Sequence, residues 1–200
     1  MTDQPREYRM TRRAESQDET RRRITESAVA LHGTLGPSRT SMSAVAAHAG
    51  VRRSTLYRHF PDEATLFDAC TAHWYAANPP PDLGAWATIE DPAERLAAAL
   101  GELYAYYGRT GKMLENMFRD EATVPMVGER FVAFRGYVAS ARDTLMAGRR
   151  LRGATKTRTA AVIAHAVAFS TWKSLVPEEG LDEKTAVELM CALVATASGT

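Results

Sequence analysis

The 200-residue sequence is short of several things, and each shortage excludes a class of protein. It has two cysteines, Cys70 and Cys191, far apart and outside any Cys-x-x-Cys or Cys/His ligand spacing. That argues against a disulfide framework and against a zinc site, and leaves reduced thiols in a cytosolic protein. Long hydrophobic runs are missing too. The longest, Ala160 to Phe169, is broken by His165 and falls far short of the roughly 20 residues of a membrane span. Residues 1–19 contain no apolar run of the secretory type, so the chain is expected to be soluble and cytoplasmic, without a membrane partner. Runs of β-branched residues are scarce while alanine is abundant, which predicts an all-α fold. There is no Gly-rich phosphate loop, no Gly-x-Ser-x-Gly and no His-Glu-x-x-His. Glu115 and Asp120-Glu121 lie near Met117, but nothing orients them as a catalytic pair. No catalytic residue, metal or cofactor is expected, and the chain does not read as an enzyme.

What is present is a lopsided charge. Lysine is absent from residues 1–60, which hold 11 arginines against 6 acids, while residues 61–200 hold 14 cations against 18 acids. A basic end on a mildly acidic remainder suits an anionic polymer bound at one end; a solvated charged face explains the same numbers. Residues 1–16 are polar, Arg-rich and without apolar period, and are expected to be a flexible basic arm.

Apolar residues at helical spacing predict a helix over 17–35, on Ile24, Ala28, Leu31 and Leu35. Ser41 is a good N-cap for a second helix that buries Met42, Val45, Ala46 and Ala49 and ends at Gly50. A third is expected over Arg52–Phe60, stopped by Pro61, and a fourth after Asp62 carrying Leu66, Phe67, Cys70 and Trp74. Pro79-Pro80-Pro81 cannot be helix interior and marks a boundary. The domains are therefore read as 17–78 and 79–200. In the second, helices are expected from Pro92 to Tyr107, over 113–120, over 126–147, over 154–175 and over 182–197.

Residues 41–60 have the physics of a helix-turn-helix. A small residue, Ala46 or Ala47, lets the helices cross closely. Gly50 supplies the positive φ of the turn, Val51 plugs it, and Leu56 and Phe60 face the core. That leaves Arg52, Arg53, Ser54, Thr55, Tyr57, Arg58 and His59 on or near the outer face, with Ser41 at the start of the preceding helix. Arginine can bond a guanine edge with two hydrogen bonds, so Arg52, Arg53 and Thr55 are the candidates for base contact. Tyr57 and His59 suit phosphate oxygens.

Glu19-Thr20-Arg21, Thr40-Ser41-Met42, Val45-Ala46, Ala49-Gly50-Val51 and Thr55-Leu56-Tyr57-Arg58-His59-Phe60 together resemble the DNA-binding domain of the TetR family of regulators. The resemblance covers about residues 18–78. It implies an all-α protein: an N-terminal three-helix DNA-binding domain, then a helical domain for effector binding and dimerisation. It implies a homodimer on double-stranded DNA, with two recognition helices in successive major grooves of a pseudo-palindrome. A small molecule in the C-terminal domain would change the spacing of the two heads, and repression is the family expectation. Thr55, Tyr57 and His59 match the family's usual contacts. The sequence departs from the pattern at Arg52, where a neutral cap is usual, at Glu63, where a lysine is usual, and at His32, where a phenylalanine is often buried. His32 reads as a satisfied core or interface histidine.

Aromatic and methionine side chains in the C-terminal half suit a small-molecule pocket, or an ordinary helical core. The candidate lining is Tyr104, Tyr107, Met117, Phe118, Phe134, His165, Phe169 and Trp172; His165 either anchors a ligand or bonds a neighbouring carbonyl. Small and leucine side chains on the last two helices, Ala161, Ala164, Ala168 and Leu175 with Leu189 and Leu193, are the candidate dimer face, since the resemblance implies a four-helix bundle there. Two other readings stay open: a constitutive DNA-binding protein without effector, and a small-molecule carrier or enzyme.

Overall fold

Among the described residues every regular element is helical, and most of the helix ends have local causes. The computed structural model describes residues 4–199, with side chains from residue 14. Its elements are α1 Gln4–Thr34, a 3-10 turn Pro37–Arg39, α2 Met42–His48, α3 Arg53–His59, α4 Glu63–Ala77, α5 Leu83–Ala87, α6 Pro92–Asp120, α7 Pro125–Met146, α8 Gly153–Ala166, α9 Phe169–Lys173, a π turn Ser174–Glu178 and α10 Glu183–Ser198. They divide into two units, residues 1–79 with 115–127 and residues 80–114 with 128–200.

In the first unit, α1, α2, α3 and α4 surround one apolar cluster. Ile24, Ala28, Val45, Leu56, Phe60 and Val127, the last from the start of α7, are its most deeply buried members, with Leu66, Phe67 and Cys70 from α4. The end of α1 is closed by residues 116–120. Asn116 Nδ2 donates to the carbonyls of His32 and Gly33, both at 2.9 Å. Arg119 donates to Leu35 O at 2.9 Å, and Asp120 accepts from the Ser38 amide at 2.9 Å. These bonds satisfy carbonyls and an amide that the end of a helix leaves without partners. Burial alone would raise the Asp120 carboxyl, but its bonds to Arg119 and Ser38 outweigh that and hold it below the ordinary range.

In the second unit, α8 and α10 pack side by side. Leu100, Leu103, Tyr104, Tyr106, Tyr107, Ile163 and Val194 are buried there. Buried Arg95 donates to the carbonyls of Ile89, Glu90, Thr144 and Ala147, tying the start of α6 to the end of α7.

Four elements differ from the expectation. The basic arm read over 1–16 is backbone helix from Gln4 onward, since Pro5 falls in a first turn, where proline is tolerated, and no later residue breaks the helix; residues 1–3 lie outside the described residues. The two helices expected over 92–120 are one. Gly108 and Gly111 do not interrupt it; they make room, because a Cβ would come within 2.6 Å of Glu183 Oε1 at the first and 2.9 Å of Trp172 Cη2 at the second. The helix expected over 154–175 breaks at Val167-Ala168 and turns through 59°. Its freed carbonyls are taken by Tyr104 on Ala166 O at 3.0 Å, Tyr107 on Val167 O at 2.7 Å and Thr171 on His165 O at 2.6 Å. The short helix α5 was not expected; Asp82 caps it on the Gly84 amide at 2.8 Å, and buried Trp86 anchors it.

Candidate nucleic-acid interface

Three local devices fix α3, the candidate recognition helix. Ser41 caps α2 by accepting from the Ala44 amide at 3.1 Å. At the other end Gly50 takes φ +62°, its amide bonds Ala47 O at 3.1 Å, and the Val51 amide bonds Ala46 O at 3.0 Å. This is the double bond of a Schellman turn, with glycine at the left-handed position. Ala46 is the buried small residue at the crossing, Ala47 is exposed, and Val51 packs on the core below the turn. Leu56 and Phe60, fully buried, hold α3 down. Asp62 then caps α4 through the Thr65 amide and hydroxyl, both at 2.7 Å, and those bonds lower its carboxyl.

The helix so fixed turns Arg52, Arg53, Ser54, Tyr57 and Arg58 to solvent, with Thr55 and His59 half-buried beside them. Arg53 does not wave freely. Its Nη2 lies 3.3 Å from the Tyr57 hydroxyl and its guanidinium 5.4 Å from that ring. The pair stands one helical turn apart, so the tyrosine braces the arginine along the outer face. Among the described residues Arg52 and Arg58 have no ion-pair partner, and the first turn of α3 holds no acid. Glu63 is exposed just beyond it.

Arg21 is the residue the sequence reading left out of the site. It donates from Nη1 to His59 O at 2.7 Å, and its guanidinium covers the Phe60 ring at 4.1 Å. A cation from α1 thus sits on the C-terminal end of α3, where the helix dipole favours it. The only sequence signal was its place in the resembling segment. Burial first, then Arg21 and Arg58, pushes the His59 imidazole below its ordinary value, so the ring is neutral at pH 7.

The residues proposed as ligand lining do not form one group. Tyr104, Tyr107, Phe134, Phe169 and Trp172 are buried in the second unit. Met117 packs on the core of the first unit, and Phe118, on the same segment, is 39% exposed. His165 is exposed on α8, beside the Thr171 hydroxyl, and not inside the apolar interior. The apolar run around it covers more than one face of the helix, which periodicity could not separate. Of the proposed dimer face, Ala161, Leu189 and Leu193 are exposed, and Ala164, Ala168 and Leu175 are half-buried. Among the described residues no cluster of His, Cys, Asp and Glu could hold a metal ion, and no single helix is long and apolar enough to cross a membrane.

Residues 24–70 match the family described as bacterial regulatory proteins, tetR family. No curated protein matches the chain in sequence. Among solved structures, a TetR-like transcriptional regulator from Rhodococcus sp. RHA1 is 18% identical with a TM-score of 0.63, covering 90% of this chain and 97% of its own. SmeT, in a complex with triclosan, is 21% identical with a TM-score of 0.61, covering 90% and 91%. The multidrug binding protein EbrR, complexed with imidazole, is 23% identical with a TM-score of 0.52, covering 88% and 89%. These are likenesses of fold.

Proposed function

We propose that this chain, a member of the TetR family of transcriptional regulators, is a repressor that binds a pseudo-palindromic operator as a homodimer and leaves it when a small apolar or aromatic molecule binds the C-terminal helices. The observation that carries the DNA reading is the outer face of α3: exposed arginines without an acid among them, one braced by Tyr57. Arg52, Arg53 and Thr55 read base edges. Ser41, Ser54, Tyr57, Arg58 and His59 grip the backbone, His59 as a neutral donor or acceptor. Exposed Leu189 and Leu193 on α10, with Ala161 on α8, form a small-residue and leucine face suited to a two-fold partner. Buried aromatics in the second unit supply the ring-lined interior for the effector. SmeT and EbrR, recorded with triclosan and imidazole, support a ring-sized molecule.

The test begins with selection of duplex sites from a randomised pool by the full chain, followed by titration of the selected site and a scrambled one at several salt concentrations. Two half-sites about one helical turn apart are expected. Equal affinity for both duplexes at every salt would end the reading. Arg53→Ala should lose about 1–3 kcal/mol at one base position, while Tyr57→Phe, which removes a backbone grip and the brace on Arg53, should weaken every sequence and most of all the one Arg53 reads.

A second reading, a constitutive DNA-binding protein, is favoured by one observation. The hydroxyls of Tyr104 and Tyr107 are already satisfied by backbone carbonyls, as in a packed core. On that reading no small molecule releases the operator.

A further inference from the structure

The second unit contains a buried polar atom that the fold does not use. Trp172 is 8% exposed, and its indole Nε1 is buried without a hydrogen-bond partner. The same unit treats its other buried indole differently: Trp86 Nε1 donates to Glu102 Oε2 at 2.9 Å. Buried N–H donors are nearly always matched, so an unmatched one marks a place where an acceptor belongs.

The indole is held in place by its other edge. Its Cη2 and Cζ3 atoms lie only 2.9 and 3.0 Å from where a Cβ on Gly111 would stand. Gly111 is inside α6, where alanine is the better helix former, so the helix gives up propensity to admit this ring. The ring centroids of Phe169 and Tyr107 stand 5.5 and 6.0 Å from the indole, and Tyr106 is 6.0 Å from Tyr107. Packed aromatic rings around a buried, unmatched donor are the ingredients of a small-molecule site: the rings take an apolar body and the N–H fixes its orientation.

We infer that Trp172 is the polar anchor of the effector site, and that the effector is a ring-sized apolar molecule bearing a hydrogen-bond acceptor oxygen, such as a carbonyl. This rests on the effector reading above and narrows it. An organic cation gains from the ring faces but nothing from the N–H donor, so the indole selects the neutral acceptor over it.

The experiment uses two probes of one shape, benzophenone and diphenylmethane, which differ by the carbonyl, and a cationic probe, benzyltrimethylammonium. Binding to the full chain is read by calorimetry. It is also read through the indole N–H resonances of the three tryptophans in nitrogen-15-labelled protein. Benzophenone is expected to bind roughly fivefold tighter than diphenylmethane and to shift the Trp172 indole proton downfield. Trp172→Phe should bind the two alike. If that variant does not fold, Gly111→Ala, which the helix itself favours, assigns the resonance, because its Cβ would intrude on the indole. Equal affinity in the natural protein, a preference that survives Trp172→Phe, tighter binding of the ammonium, or no binding of any probe overturns the inference. Operator release by apolar compounds irrespective of an acceptor removes this inference and leaves the effector reading standing. Absence of both binding and release removes both.

Discussion

His32, 6% exposed, stands near the end of α1 with its ring 5.3 Å from that of Phe67 and Nδ1 3.5 Å from Cys70 Sγ. Burial drives the imidazole down to about 4, and the charge of Asp120 only partly offsets it. Burial likewise pushes the Cys70 thiol up to about 12, so it stays protonated and bonds Phe67 O at 3.2 Å. The folded histidine is therefore neutral where the unfolded one, near 6.5, takes up a proton. Its contribution to stability is complete above about pH 6.5 and is lost as pH falls towards the folded value near 4. Between about pH 7.5 and about pH 5 the natural protein should lose roughly 2 kcal/mol through this one group. His32→Phe keeps an aromatic ring and removes the titration. Urea unfolding of both proteins at the two pH values checks it, and equal pH dependence would show that His32 titrates normally. In the sequence the resemblance alone pointed to this role, as a core or interface histidine where a phenylalanine is often buried. The environment of His32 was not legible there, because Asn116, Arg119 and Asp120 lie more than 80 positions away in the chain.

At the scale of elements, the helices closed by caps were legible and those shaped by distant contacts were not. Ser41, Gly50 and Asp62, like Asp182, which accepts from the Thr185 amide at 2.9 Å at the start of α10, each act within four residues of themselves, and the ends of α2, α3, α4 and α10 fall within about one or two residues of where those residues put them. The α3 face was equally legible, since period 3.6 separates Leu56 and Phe60 from Arg53 and Tyr57 without tertiary information. The break between α8 and α9 has no glycine or proline to announce it. It depends on Tyr104 and Tyr107, some 60 residues earlier, which take the carbonyls the break exposes. Burial keeps the Tyr107 hydroxyl protonated far above the ordinary tyrosine range, so it can only serve Val167 O as a donor. Tyr107→Phe leaves that carbonyl buried and unpaired, and should destabilise the protein by about 1–3 kcal/mol in a urea titration. Tyr104→Phe should do the same at Ala166. A double variant no worse than either single one would mean that the two hydroxyls hold one shared structure; full additivity would mean two independent caps.

At the scale of the whole molecule, the charge asymmetry and the two exposed leucines of α10 belong to one argument. On the proposed function, a seven-residue helix such as α3 makes few contacts, so the affinity of one head for DNA should be modest and depend steeply on salt. Joining two heads makes the second engagement intramolecular and raises affinity by about 10²–10⁴ without a new contact. Leu189 and Leu193, 46% and 42% exposed, stand one helical turn apart on α10, beside the packed α8. Leu193→Glu puts a charge into that face, where a partner copy would have to desolvate it. The natural chain is expected to sediment as a dimer and the variant as a monomer. The variant should bind a full two-half-site duplex at least about 100-fold more weakly while keeping its affinity for a single half-site. The comparison of the two duplexes separates a lost partner from a damaged head. Equal weakening on both would trace the defect to misfolding of the variant. A dimer that persists with Glu at this position would move the interface off α8 and α10 and onto another surface of the second unit.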